Sequence, residues 1–155
     1  MEVLKFGGTS VANAQNIKLV LNIIIEKSKV EKLIVVVSAL SGVTDLLLLA
    51  SKKAALKDED YKLVIEEIKL KHFVTISELV DSDKRNQLTI NINSQINQLQ
   101  TLLDGCFLLG ELSPRTSDAI ICFGELLSSQ IIAIFLSFCS RYSRAIKEII
   151  LASSP

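Results

Sequence analysis

Val3-Leu4-Lys5-Phe6-Gly7-Gly8-Thr9-Ser10 and, further on, Leu33-Ile34-Val35-Val36-Val37 decide how this chain folds. Val3 to Phe6 is a short apolar run ending on two glycines, which reads as a strand entering a tight turn. Behind the turn, Ser10 or Asn13 can cap a helix carrying Ile17, Val20, Leu21, Ile24 and Ile25 at spacings of three and four. Leu33 to Val37 is aliphatic throughout and rich in β-branched residues, which suits a parallel strand buried on both faces. Ser38-Ala39-Leu40-Ser41-Gly42 then interrupts, and a second helix starts near Val43. Strand, glycine turn, helix, strand, small-residue loop, helix is a βαβα order. The fold class is therefore α/β, with a largely parallel sheet joined by right-handed crossovers.

The 155 residues suffice for one domain of ordinary size and not for two. Hydrophobic residues make up 49% and charged residues 22%, which supplies a core and excludes a disordered chain. Seventeen basic side chains balance seventeen acidic ones. With no basic excess to meet a phosphate backbone, nucleic acid is not an expected partner. Cys106, Cys122 and Cys139 are too few and too widely spaced for a disulfide framework or a four-thiolate zinc site, and read as buried, reduced thiols of a cytoplasmic protein. His72 is the sole histidine, so neither a histidine metal cluster nor a Ser/His/Asp triad fits, and no metal site is expected. Met1 to Lys5 lacks the apolar core of a signal peptide. Between Ala119 and Ser140 the only charged residue is Glu125. A carboxylate at mid-bilayer is costly, so this stretch reads as the buried helix of a soluble domain, with no membrane partner.

Lys57 to Arg85 alternates charges with Leu63, Val64, Ile68, Phe73, Ile76 and Leu79, the pattern of an amphipathic helix. His72 reads there as a surface residue. Leu88 to Leu109 is a further helical stretch whose apolar side is Ile92, Ile96, Leu99, Leu102 and Leu103. Both read as helical cover with no chemistry of their own. Ser113-Pro114 starts a last long helix, with Ser at the N-cap and Pro at the first helical position, running to about Ser140. Only Ala145 to Leu151 remains as a candidate third strand. Two or three parallel strands cannot cover so many apolar helices, and they leave long unpaired edges. Residues 1–155 are accordingly expected to be a truncated domain.

Lys5-Phe6-Gly7-Gly8-Thr9-Ser10 lies at the carboxyl end of the first strand, the edge where open α/β sheets bind ligands. Glycines let backbone N–H groups approach phosphate oxygens, a helix N-terminus adds partial positive charge, and Lys5 adds a full one. Together these parts suit phosphoryl transfer. Taken alone, a tight turn beside a surface lysine explains the stretch equally well. Ser38-Ala39-Leu40-Ser41-Gly42-Val43-Thr44-Asp45 occupies the same edge after the second strand. Its hydroxyls and amides can hold a small polar substrate, while a helix-capping loop, with Ser41 or Thr44 as the cap, is the simpler reading of spacing alone. On the last helix Asp118, Cys122, Glu125 and Ser128 or Ser129 share one stripe. A lone carboxylate in an apolar helix is paired, protonated or facing a cavity, where it can receive a substrate ammonium group. A partly exposed structural glutamate is the competing reading.

In order and wording, the three blocks Lys5-Phe6-Gly7-Gly8-Thr9-Ser10-Val11-Ala12, Val37-Ser38-Ala39-Leu40-Ser41-Gly42-Val43-Thr44-Asp45-Leu46-Leu47 and Gly124-Glu125-Leu126-Leu127-Ser128 closely resemble the aspartokinase family. The match runs from Met1 to about Leu136, and the start also looks like the bifunctional aspartokinase–homoserine dehydrogenases. The resemblance implies a three-layer α/β/α amino-acid-kinase fold and transfer of the γ-phosphoryl group of ATP, with Mg2+, to the β-carboxylate of L-aspartate. It implies an entry step of lysine, threonine and methionine biosynthesis and a homo-oligomer in the intact enzyme. By position in the motifs, Lys5 is the catalytic residue that neutralises the transferring phosphates, and Gly7, Gly8, Thr9 and Ser10 shape the phosphate loop. Ser38 and Ala39 line the substrate site, while Thr44 and Glu125 contact aspartate, with Glu125 on its ammonium group. The chain departs from the family in lacking the later half of the kinase domain and the regulatory domains, and Cys139 to Arg144 does not read like the family's turn into the next strand. Other amino-acid kinases for glutamate or uridylate share the Lys-x-Gly-Gly start without the Ser-Ala-x-Ser-Gly-x-Thr block. A non-catalytic anion-binding fragment is the remaining alternative.

Overall fold

The computed structural model describes residues 1–138, apart from the side chains of residues 82–84 and 138. The candidate strand Ala145–Leu151, Cys139 and the divergent tail lie outside the described residues. β1 (Glu2–Phe6) and β2 (Leu33–Val37) pair in parallel, Glu2 opposite Leu33 and Phe6 opposite Val37. The Ser38 amide donates to the Phe6 carbonyl at 3.0 Å, so the ladder runs one residue into the following loop. α1 (Ala14–Ser28) makes the crossover. Of the two candidate caps it uses Asn13, whose Oδ1 accepts from the Asn16 amide at 2.9 Å. The turn after β1 is thus seven residues long, from Gly7 to Asn13, before the helix begins. Leu33, Val35 and Val37 are buried, whereas Ile34 and Val36 are only half-buried beside the exposed Val3 and Lys5. The expectation that β2 is buried on both faces therefore holds for one face. A sheet of two strands, all that residues 1–138 provide, leaves the other partly open.

Four further helices complete the described chain: α2 (Val43–Ala55), α3 (Tyr61–Leu79), α4 (Ser82–Leu109) and α5 (Pro114–Phe138). α2 sits centrally, packed against α3, α4 and α5, and its Leu47, Ala50 and Ala54 are fully buried. Small side chains on α2 let the flanking helices approach closely, with Ile68, Leu99, Leu103, Ile120 and Leu127 filling the core around it. The Lys57–Arg85 pattern is not one helix. The chain leaves α3 at an extended Val80, and the Arg85 guanidinium donates to the Ser77 and Val80 carbonyls at 3.0 and 3.3 Å, closing the corner from within α4. Leu63 and Leu102, read as apolar-face residues, are exposed at the helix margins. α5 starts as its sequence predicts, with Ser113 Oγ accepting from the Thr116 amide at 3.1 Å. Residues 114–137 are long and apolar enough to cross a membrane, but half of the most apolar stretch is buried inside this fold.

His72 corrects the reading of this region. It is not a surface residue: it is fully buried on α3, on the same side as Ile65, Ile68 and Ile76. Its Nδ1 lies 2.6 Å from the Ile68 carbonyl, which can only accept, so Nδ1 carries the proton. Nε2 is left as a buried acceptor without a partner. Burial pushes the imidazole down from 6.5 to about 4, so the ring is neutral in the fold. Between those two values the unfolded chain binds the extra proton and the folded chain does not. Stability is therefore complete above pH 6.5 and falls as the pH drops towards 4, by on the order of 3 kcal/mol. Urea unfolding from neutral pH down to about pH 4 is expected to show this loss in the wild type, and His72→Leu should remove most of it. An equal loss in both proteins would show that His72 is not its source.

Candidate active site

The three sequence blocks meet at Ser38 and Ala39. From the first block, Phe6 receives the Ser38 amide, and the Gly8 Cα faces the loop so closely that a Cβ would lie 3.7 Å from the Ala39 carbonyl and 3.8 Å from Ser38 Oγ. From the third block, Gly124 packs directly on the loop. A Cβ there would stand 2.7 Å from the Ala39 Cβ and 3.4 Å from Leu47. One turn further along α5, buried Ser128 donates its hydroxyl to the Ser38 carbonyl at 2.7 Å. Residues far apart in sequence are thus held around one pair of small residues at the carboxyl end of the sheet.

The polar groups around this junction are held open. Lys5 is exposed on β1 opposite Val36, and among the described residues its side chain has neither ion pair nor hydrogen bond. Gly7 faces open space: neither it nor Gly8 has positive φ, and nothing in the chain would obstruct a side chain at position 7. Thr9 and Ser10 follow in a turn closed by the Ser10 amide on the Gly7 carbonyl at 2.9 Å, and neither hydroxyl bonds to another described residue. Neither Ser41 nor Thr44 caps α2. Its N-cap is Gly42, at φ 76° in the left-handed region, and it makes no side-chain cap bond. Thr44 is exposed, and among the described residues its hydroxyl has no partner.

Glu125 follows the Gly124 contact and is half-buried. Burial pushes its carboxyl above the ordinary 4.5, and among the described residues no cation or donor meets it. The predicted stripe divides along α5: Asp118 and Cys122 are exposed, while Ser128 and Ser129 are buried, so the expectation of a buried thiol holds for Cys106 and fails for Cys122, which lies on the outer side of its helix. Among the described residues no three His, Cys, Asp or Glu side chains gather as a metal cage. Ser128 and Gly124 are the site residues whose contacts the spacing did not reveal. The signal available was a pair of small residues four apart on a strongly apolar helix, which marks a close approach.

A family model described as the amino acid kinase family matches residues 1–149. The chain belongs to the amino acid kinase family. Within it, aspartokinase 1, chloroplastic, of Arabidopsis thaliana is 38% identical over 138 residues, which cover 87% of this chain and 23% of the relative. The bifunctional aspartokinase/homoserine dehydrogenase 2, chloroplastic, of the same plant is 36% identical over 131 residues, covering 84% and 14%. Among solved structures, E. coli aspartokinase III in complex with aspartate and ADP superposes with a TM-score of 0.74 at 25% identity, covering 89% of this chain and 29% of that one. The chain spans 14% to 24% of the length of the curated relatives it matches. The amino-acid-kinase fold thus accounts for a helix-rich α/β unit with so short a parallel sheet.

Gly124 tests the geometry of this family member directly. Replacing a mid-helix glycine by alanine gains about 1 kcal/mol of helix propensity. Here the new methyl meets the Ala39 Cβ, which cannot rotate away, and overpacking costs about 1–3 kcal/mol. Gly124→Ala is expected to lower the unfolding free energy, and adding Ala39→Gly to recover most of the loss. Additive effects of the two changes in urea unfolding would show that the helix and loop do not touch there.

Proposed function

We propose that this chain is the N-terminal part of an aspartate kinase catalytic domain, residues 1–155, whose remainder lies in the full-length protein. The observation that carries this reading is the junction at Ser38–Ala39, which joins the glycine turn, the loop after β2 and the Glu125 helix. The reaction is transfer of the γ-phosphoryl group of ATP to the β-carboxylate of L-aspartate. A carboxylate oxygen bonds to the γ-phosphorus as the bond to the β,γ-bridging oxygen breaks, giving 4-phospho-L-aspartate and ADP. Such transfers need positioning and charge neutralisation more than covalent help from the protein. Lys5 supplies the neutralising charge at the sheet edge, where no carboxylate of the described chain competes for it. Gly7, Gly8, Thr9 and Ser10 supply amides and hydroxyls to phosphate oxygens, and the open space at Gly7 leaves room for close approach.

Glu125 receives the aspartate ammonium group. A half-buried carboxylate with no internal partner carries an uncompensated desolvation cost, which a substrate cation offsets. Thr44, free of any capping duty, and the Ser38–Ala39 loop line the same substrate. Mg2+ bound with ATP would supply further neutralising charge on the phosphates. The product feeds lysine, threonine and methionine synthesis. We place the reaction in the cytoplasm, in keeping with the free thiols of Cys106 and Cys122. Self-association of the intact enzyme follows the family resemblance.

In the full-length protein, an ADP-release assay is expected to show aspartate-dependent turnover, with Lys5→Met lowering kcat about 100-fold or more while the fold is retained. The isolated 155-residue chain should be silent in the same assay, because its relatives are several times longer. Turnover in the full-length protein that does not require aspartate, or that survives Lys5→Met, would overturn the proposal.

A further inference from the structure

We propose that Ser128 is a positioning residue for the aspartate half of the site: by holding the Ser38 carbonyl, its hydroxyl fixes how far Glu125 stands from the Ser38–Thr44 loop. The assignment rests on the reading of the site given above. A serine inside a helix ordinarily donates to a carbonyl of its own preceding turn. Among the described residues five serines do so: Ser28, Ser51, Ser77, Ser129 and Ser137 each bond the carbonyl three residues back at 2.7–2.9 Å. Ser128 departs from them. Its distance to the Glu125 carbonyl is 3.1 Å, while the Ser38 carbonyl, 90 residues away in sequence, lies at 2.7 Å. A hydroxyl has one proton to give, and the shorter contact takes it.

Two features make this bond a positioning device and not only a core contact. The Ser38 peptide is bonded on both sides, its amide to the Phe6 carbonyl at the end of β1 and its carbonyl to Ser128. One peptide thereby ties the strand that carries Lys5 to the helix that carries Glu125. Gly124, one turn before Ser128, rests on the Ala39 Cβ, so the helix face on either side of Glu125 is anchored to consecutive loop residues. With Gly124 in van der Waals contact and Ser128 in hydrogen-bond contact, α5 can neither slide nor roll without breaking one of them. Glu125 lies between the two anchors, and its carboxylate has no other restraint among the described residues. The nucleotide half of the site, at Gly7 to Ser10, takes no contact from Ser128.

The test is steady-state kinetics of the full-length enzyme. Ser128→Ala is expected to raise KM for aspartate about five- to tenfold, the worth of one hydrogen bond, with KM for ATP within about twofold. Ser128→Thr, which keeps the hydroxyl, should restore the KM for aspartate. If Ser128→Ala fails to fold, Gly124→Ala moves the same helix off the loop by sterics and should raise the same KM selectively. An active wild type with an unchanged KM for aspartate in these variants, or with both KM values rising together, overturns the assignment alone. A wild type without aspartate-dependent ADP release overturns the functional reading, and the assignment with it.

Discussion

The contact of α5 with the loop after β2 is the constraint on which the rest of this structure depends. It is made of small groups: the Gly124 backbone against the Ala39 methyl, and the Ser128 hydroxyl on the Ser38 carbonyl. A larger side chain at either position would lift the helix away from the sheet edge. The close approach explains a glycine in mid-helix, where it otherwise costs about 1 kcal/mol relative to alanine. It also explains why Glu125 stays near the sheet despite the desolvation that burial imposes on its carboxyl. The helix is held by neighbours of Glu125, so the carboxylate itself remains available.

A second property follows from where charges are satisfied and where they are not. Some of the charges elsewhere pair locally: Lys27 with Glu2, Lys29 with Glu26, Lys53 with Asp58, and Met1 with Glu31. These exposed pairs contribute little to stability. Among the described residues the side chains of Lys5, Thr44 and Glu125 make no such pair. Tyr61 shows the contrast inside the core, where a buried hydroxyl donates to Asp104 and ties α3 to α4.

Much of this was legible along the chain. The strands at Val3–Phe6 and Leu33–Val37 and the starts of α2 and α5 followed from β-branched runs, glycines and the Ser113-Pro114 signal. These are local effects, decided within a few residues. The errors share one cause. Leu63 and Leu102 sit on apolar stripes but at their margins, and His72 sits among charged neighbours but on the inner face. Helical periodicity defines a stripe without saying how wide a strip the neighbouring helix covers. The break between α3 and α4 was also hidden, because it is made by Arg85 reaching back to two carbonyls and not by glycine or proline.

What the amino-acid sequence by itself determined is the order of elements, the α/β class and the three blocks of residues that carry the family resemblance. Turns, caps and hydrophobic periods act between near neighbours, and the chemistry of a side chain is present in its name. Only the tertiary structure decided that Ser128 gives its proton to Ser38 instead of to its own helix, that Gly42 leaves Thr44 uncapped, and that His72 is walled off from water. Each is a competition between alternative partners of similar strength. The winner is set by which surfaces packing brings within a few tenths of an ångström, a quantity no local pattern encodes.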